Sequence, residues 1–289
     1  MKKNVLITTL CLVIVQMAMA QRFTVGSYNL RYDNKSDSLH GNGWQRRYPV
    51  IANLLRFHGY DIFGTQEGLK HQLQNLKDSL PGFAYIGVGR DDGKEAGEHS
   101  AIFYNTQLFK VEKQGNFWLS EVEDKPNKGW DAVLPRICTW GLFKEIKTGF
   151  TFYMFNLHMD HVGVQARAES AKLILKKIRE MTAGRPVILT GDFNVDQNSE
   201  SYLLLANSNV LFDAYTTTKL RYALTATFNN FKPDVTSDKR IDHVFLTKDF
   251  IVQRYGILDD TYRSQDGDTG VARLPSDHFP VLVEVTHGR

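Results

Sequence analysis

Short runs of β-branched and aromatic residues recur along the chain, and most of them end on a polar side chain suited to metal or phosphate chemistry. The runs are FTVGSYN (23–29), DIFGTQ (61–66), FAYIGVG (83–89), SAIFYN (100–105), RICTWGLFKEI (136–146), FTFYMFNLH (150–158), RPVILTGD (185–192), IDHVFLT (241–247) and FPVLVEV (279–285). Their length and composition predict strands. Only Lys147-Thr148-Gly149 separates two of them, a hairpin spacing that predicts antiparallel neighbours. Helical periodicity is clearest over 163–182, where Ala171, Ile174, Leu175 and Ile178 follow i, i+3, i+4, i+7. A second helix is predicted over 46–59, stopping at Gly59. Strands outnumber helices, so the expected class is α/β with mixed sheets rather than a doubly wound parallel sheet.

The first twenty residues, MKKNVLITTLCLVIVQMAMA, join a Lys2-Lys3 positive region to an apolar stretch and an Ala18-Met19-Ala20 cleavage pattern. They read as a secretory signal, too short in its apolar part to span a bilayer. The expected location is secreted or periplasmic, with residues 21–289 forming a single domain. No Pro/Ser-rich linker, low-complexity tract or fixed-period repeat divides them. Cleavage would remove Cys11 and leave Cys138, which excludes an internal disulfide. It would also remove two lysines, leaving 33 basic against 32 acidic side chains. That balance is not the footprint of a protein gripping long polyphosphate, and it favours a small or singly charged substrate. No obligate protein partner is evident, and a monomer is expected.

The polar tips are specific. VGSYNLRYD supplies Asn29, and IFGTQEG supplies Glu67. FNLHMDH offers Asn156 and His158, two apart and so on one face of a strand, with Phe155 and Leu157 on the other. VILTGDFNVD offers Asp192 and Asn194, on one face if the extended backbone continues past Gly191. RIDHVF supplies Asp242, and PSDHFP supplies Asp277 and His278. Each alone has a bland reading as a turn residue or a hydrogen-bonded core histidine; the conjunction of hard oxygen donors, histidines and amides at strand ends suggests one site.

In that order, SYNLRYD, TQE, NLH, GDFNVD, RIDHVF and SDHFPV resemble the motif series of the endonuclease/exonuclease/phosphatase superfamily, the deoxyribonuclease I-like proteins. The resemblance spans nearly all of residues 21–289. It is nearest to a secreted bacterial branch that is similar to the poly(A)-tail exoribonuclease branch and, more distantly, to neutral sphingomyelinases. It implies a four-layer α/β/β/α sandwich, two mixed and mostly antiparallel sheets face to face, and metal-dependent hydrolysis of a phosphoester. Carried over by position, Glu67 matches the principal Mg²⁺ ligand, with Asn29 beside it at metal and phosphate and Asp277 close by. Asp192 and Asn194 match the pair orienting the attacking water and the phosphate. His278 matches the essential histidine, Asp242 the carboxylate that orients it, and His158 a phosphate contact. The chain departs from the pattern at His243, where an aromatic residue is common.

This donor set suits Mg²⁺, with Mn²⁺ as the alternative ion. Arg136 and Arg90 are candidate phosphate contacts because a guanidinium matches phosphate geometry, and Asn156 joins them as a candidate substrate contact. His158 and His161 are three apart, a zinc-like spacing on a helix but not on the strand expected here. The charged, Gly-rich loop GRDDGKEAGEHSAIF is either a solvated turn or a recognition loop. Trp44, Trp118, Trp130 and the stretch TATFNNFKPD are expected in the core. The leading function is thus a secreted phosphodiesterase, nuclease or phosphatase, with exoribonuclease, sphingomyelinase and sugar-phosphate variants open. The remote alternative is a non-catalytic binding protein on the same scaffold.

Overall fold

A computed structural model describes residues 21–222, 225–263 and 270–288. The expected signal, residues 1–20, lies outside the described residues. In chain order the strands are β1 (Gln21–Asn29), β2 (Ile62–Gln66), β3 (Phe83–Ile86), β4 (Ile102–Asn105), β5 (Phe109–Trp118), β6 (Ile137–Glu145), β7 (Thr151–His158), β8 (Val187–Asp192), β9 (Phe212–Asp213), β10 (Arg221–Tyr222), β11 (Asp242–Leu246), β12 (Phe250–Ile257), β13 (Tyr262–Arg263), β14 (Ala272–Arg273) and β15 (Val281–His287). The helices are α1 (Lys35–Leu39), α2 (Trp44–Phe57), α3 (Lys70–Ser79), α4 (Val164–Thr182), α5 (Glu200–Ala206) and α6 (Ala214–Thr217).

One sheet has the order β10-β12-β15-β1-β2-β4-β3, the other β5-β6-β7-β8-β11-β9, and β13 pairs with β14 apart from both. Among the described residues β1–β2, β7–β8 and β10–β12 pair in parallel and the other strand pairings are antiparallel. Alternation along the strands makes the layers. Val25, Ile62, Met154, Ile188 and Val283 face inward and meet in a cluster between the sheets. Tyr28, Phe63 and Phe103 face outward onto Ile51, Leu55, Leu73 and Leu76 of α2 and α3. On the far side Phe155, Leu157 and Leu189 meet Ile174, Ile178 and Leu205 of α4 and α5. The result is the four-layer α/β/β/α sandwich, two helical faces each buried by the sheet they cover.

Two long strands are absent from the sequence-based expectation. Both β5 and β12 carry a register shift, between Val111 and Lys113 and between Val252 and Arg254. A bulge breaks the period-two alternation by which a strand is recognised. Helix α3 was missed because only Leu73 and Leu76 mark its apolar face.

The inner layer changes character at one end. Gln66 Nε2 donates to Ser27 Oγ at 3.2 Å and to Asn156 Oδ1 at 2.8 Å, and Thr190 Oγ1 donates to Asn156 Oδ1 at 3.0 Å. Asn156 Nδ2 in turn donates to the carbonyls of Thr65 and Ala101 at 2.8 and 3.0 Å. These fully buried groups stitch one sheet to the other through directional hydrogen bonds, with Gln66 Oε1 left without a partner among the described residues, and so favour one relative placement of the sheets. Gly64 makes room for it: a Cβ there would stand 2.2 Å from Asn156 Oδ1.

Candidate active site

Strand register brings the predicted residues to this same end. β7 and β8 run parallel with His158 beside Asp192, and β11 runs antiparallel to β8 with Asp242 opposite Asp192. One transverse row of the second sheet therefore carries His158, Asp192 and Asp242. In the first sheet β1 and β2 run parallel with Asn29 beside Gln66, and Glu67 follows at once. His278 is fixed through an antiparallel bridge to Phe228 just before β15. Ser276 Oγ donates to the Asn29 carbonyl at 2.7 Å, tying that segment to the end of β1.

The side chains then converge. His278 Nδ1 and Asp242 Oδ2 are 2.8 Å apart, and His278 Nε2 stands 3.7 Å from Asp192 Oδ2. Asn29 Nδ2 donates to Glu67 Oε1 at 3.1 Å and to Asp192 Oδ2 at 3.0 Å, bridging the two sheets. Glu67 Oε2 also accepts from the Tyr32 amide at 3.1 Å. The Asn194 amide donates to Asp192 Oδ1 at 2.9 Å, and Asn194 Nδ2 donates to His158 Nε2 at 3.0 Å and to the Met159 carbonyl at 2.9 Å. Asn194 does not continue the strand, since its φ is +51°. The left-handed turn, rather than period-two alternation, brings its amide back over Asp192.

Glu67, Asp192, Asn194, His158, Asp277 and His278 line one cavity of about 630 Å³. Arg31 at φ +56°, Glu67 at +63°, Asn194 at +51° and Asn230 at +52° all border it. A left-handed conformation costs a non-glycine residue roughly 1–2 kcal/mol, so strain is concentrated where side chains must be aimed. A second cavity of about the same volume, bordered by Asp33, Gly41 and Trp44, holds none of the predicted residues.

Electrostatics separates the groups. Burial works against charge on His278, but Asp242 and Asp192 overcome it and hold the imidazole well above its ordinary pKa. His158 goes the other way, because burial and the cations Arg136 and Arg90 keep it neutral. Burial, with Asp242 adding repulsion, pushes Asp192 up to about 7 against the pull of His278. Burial also raises Asp277, with Glu67 adding to it and His278 and Arg31 opposing. Two histidines in one pocket thus carry opposite protonation states, set by what each faces.

The donor chemistry fits a hard divalent cation. Glu67 and Asp277 supply carboxylate oxygens, whereas Asn29, expected beside them at the metal, turns its Nδ2 to Glu67 and Asp192 while its Oδ1 accepts from the Arg31 amide at 2.9 Å, so it positions the carboxylates instead. Among the described residues Asp192, Asp242 and His278 also place one ligand atom each within 4.8 Å of the others. The 2.8 Å contact of His278 Nδ1 with Asp242 is a hydrogen bond, however, and reads as an oriented Asp–His pair rather than two metal ligands.

Other predicted residues are placed differently. Arg136 lines the cavity, its Nε 3.3 Å from Asp160 Oδ2 and its Nη2 2.9 Å from His161 Nδ1. Arg90 does not line it; its guanidinium forks onto Glu98 at 2.7 and 2.8 Å. Asn156 lies beneath the cavity in the inter-sheet network. His243 turns to the opposite side of β11 from Asp242, with Nε2 3.1 Å from the Val195 carbonyl, so the unusual residue leaves the Asp242–His278 pair intact. Trp44 and Trp118 are buried as expected, but Phe228 of TATFNNFKPD is 40% exposed and borders the cavity. Glu98, Arg31 and Asn230 border it too without having been singled out, as does His161, weighed only for a zinc-like spacing with His158. Arg31 and Asn230 lie inside stretches quoted for other residues; nothing in their spacing marks them.

The model of the endonuclease/exonuclease/phosphatase family matches residues 26–278. Among solved structures, an endonuclease/exonuclease/phosphatase family protein from Bacteroides thetaiotaomicron is 56% identical, with a TM-score of 0.91 over 93% of this chain and 99% of that one. A mannosyl-6-phosphatase from Bacteroides thetaiotaomicron VPI-5482 is 58% identical, with a TM-score of 0.89 over 91% of this chain and 99% of that one. An uncharacterized protein of Acanthamoeba polyphaga mimivirus is 26% identical over 265 residues, 83% of this chain and 91% of that protein.

Proposed function

The chain belongs to the endonuclease/exonuclease/phosphatase family, and from that membership we propose that it is an exported, Mg²⁺-dependent phosphatase that releases phosphate from a phosphorylated sugar. One observation carries the phosphoester chemistry: the buried Asp242–His278 pair faces Asp192 across 3.7 Å in the cavity that also holds Glu67. The 58% identity to a mannosyl-6-phosphatase supports the choice of ester. The near balance of charge in residues 21–289 supports a small substrate over a long polyanion. Export rests on the signal-like residues 1–20 and is tested by sequencing the amino terminus of the exported protein, expected at Gln21.

A cation held by Glu67 and Asp277, with Asn29 steadying Glu67, would neutralise charge growing on the phosphoryl oxygens. The chain's own groups do the rest. Asp192 holds the attacking water through the oxygen facing His278 and takes its proton, since its raised pKa keeps it basic near neutrality. His278, held protonated by Asp242, donates from Nε2 to a phosphoryl oxygen as charge builds there. Asn194 fixes the rotation of Asp192 through its amide and the position of His158 through its side chain.

The proposal is tested by assaying residues 21–289 on mannose 6-phosphate, p-nitrophenyl phosphate, bis-p-nitrophenyl phosphate, RNA and sphingomyelin. The monoesters are expected to turn over best, EDTA to abolish activity, and Mg²⁺ to restore it. Activity confined to RNA or the diester overturns the phosphatase assignment, and full activity in EDTA overturns the metal requirement.

The acid side of the pH–rate profile reports on Asp192. Because the base must be unprotonated, kcat/KM falls as pH drops through about 7. Raising the cation concentration moves this limb lower, since added positive charge favours the carboxylate. A profile flat from alkaline pH down to about 5, well below that pKa, removes Asp192 from the role of base.

A further inference from the structure

We propose that Glu98 determines specificity by reading the hydroxyl groups of the leaving alcohol, so that the enzyme selects phosphate monoesters of a polyhydroxylated ring over those of other alcohols. The proposal rests on the phosphatase reading above and adds to it the group that recognises the sugar.

The charged loop that carries Glu98 is a folded structure. The Arg90 amide donates to the Glu98 carbonyl at 3.0 Å, Gly89 to Lys94 at 2.9 Å, and Asp91 to Ala96 at 3.2 Å. Trp118 Nε1 pins the loop by donating to the Arg90 carbonyl at 2.8 Å, and the His99 amide donates to Gly68 at 2.9 Å, beside Glu67. The Glu98 carboxylate is then clamped by both terminal nitrogens of Arg90, at 2.7 and 2.8 Å. A bidentate fork fixes the carboxylate plane and offsets its charge while leaving further lone pairs to accept hydrogen bonds. Glu98 lines the cavity, and Arg90 does not.

Two groups near Glu98 each leave one nitrogen without a partner among the described residues. Arg136 is 4% exposed, and its Nη1 finds no hydrogen-bond partner among the described residues. His158 is 7% exposed, and its Nδ1, also unpartnered, faces Glu98 Oε2 at 3.8 Å. This wall therefore offers a fixed acceptor beside buried polar nitrogens. A hydroxylated ring satisfies both, because each hydroxyl donates to a carboxylate while accepting from a guanidinium. A plain aryl or alkyl group offers Glu98 no donor and these nitrogens no acceptor. The wall also lies within reach of the reacting end. His158 Nε2 is 3.6 Å from Asp192, so a single imidazole separates the two carboxylates. One small ester spans that distance with its phosphate at Asp192 and its ring at Glu98.

The test compares wild type, Glu98→Gln and Glu98→Ala on mannose 6-phosphate and p-nitrophenyl phosphate, with urea midpoints to confirm folding. The readout is the ratio of the two kcat/KM values. Loss of hydrogen bonds to a charged acceptor lowers the preference for the sugar ester by about 30-fold in Glu98→Ala. Glu98→Gln, which keeps an acceptor but loses the charge and the Arg90 fork, falls between. Equal proportional losses on both substrates, or none on either, overturn the role of Glu98 while leaving the phosphatase reading in place. Wild type that hydrolyses neither monoester overturns the phosphatase reading, and this inference falls with it.

Discussion

Replacing His278 with alanine lowers kcat/KM on the preferred monoester by roughly 10³-fold or more, with most of the loss in kcat. The imidazole is held by one 2.8 Å hydrogen bond to Asp242 and presents its other nitrogen to the reacting side of Asp192. Its positive charge is of most use once charge has built up on phosphorus, which is why kcat should suffer more than KM. His278→Asn retains a donor for Asp242, so it avoids leaving that carboxylate alone in the interior, and it should be comparably inactive. Asp242→Asn reaches a similar loss, and the double variant His278→Ala/Asp242→Asn is scarcely worse than His278→Ala, as expected of residues that act as one unit. Full additivity of the two losses would show that Asp242 acts on something other than His278. Activity of His278→Ala within tenfold of wild type, measured with [Mg²⁺] saturating, would remove His278 from the chemistry.

Arg47→Ala destabilises the protein by about 4 kcal/mol, the second large effect. Arg47 is fully buried in α2, and its guanidinium donates to four backbone carbonyls: Asn42 at 2.7 Å, Leu30 at 2.7 Å, Arg31 at 2.9 Å and Pro275 at 3.0 Å. Two of these follow Asn29 directly, and the third precedes the Ser276-Asp277-His278 segment. The side chain thus joins the two loops that present site residues from opposite ends of the chain. Truncation breaks four hydrogen bonds, each worth about 1 kcal/mol, and strips the buried Leu30 and Pro275 carbonyls of this donor, whereas the Arg31 carbonyl keeps Gln72 Nε2 at 3.0 Å. Urea unfolding measures the loss through the midpoint at constant slope. Arg47→Lys, with one nitrogen in place of three, should recover only part of it. A midpoint change equivalent to less than about 1 kcal/mol for Arg47→Ala contradicts this account.

Arg47 also shows where sequence reading stops. In RRYPVIANLLRFHG it is one of three arginines, and nothing in its spacing separates it from the exposed Arg46. Its burial is decided by carbonyls from two distant segments and the turn just before α2, which no local pattern records. Glu98 is a parallel case. The guanidinium of Arg90 was the group with evident phosphate chemistry, yet in the folded loop it turns onto Glu98 and leaves the carboxylate facing the cavity. Asn156 was placed on the correct strand face with His158, but one residue pair further from the strand end it meets the opposite sheet instead of the cavity.

What the sequence determined by itself is the part encoded locally. Alternating and 3.6-residue periodicities defined most of the strands and the two long helices, because burial on one face imposes those periods directly. The ordered polar tips singled out Glu67, Asp192, Asp242 and His278, which the fold brings together at one end of the two sheets. Only the tertiary structure decided the rest: the register that lines up His158, Asp192 and Asp242, the left-handed turns at Glu67 and Asn194, and the opposite protonation of His278 and His158. Pairing across sheets, burial and the charges a group faces all depend on residues far away in the chain, so they exist only once the two sheets have met.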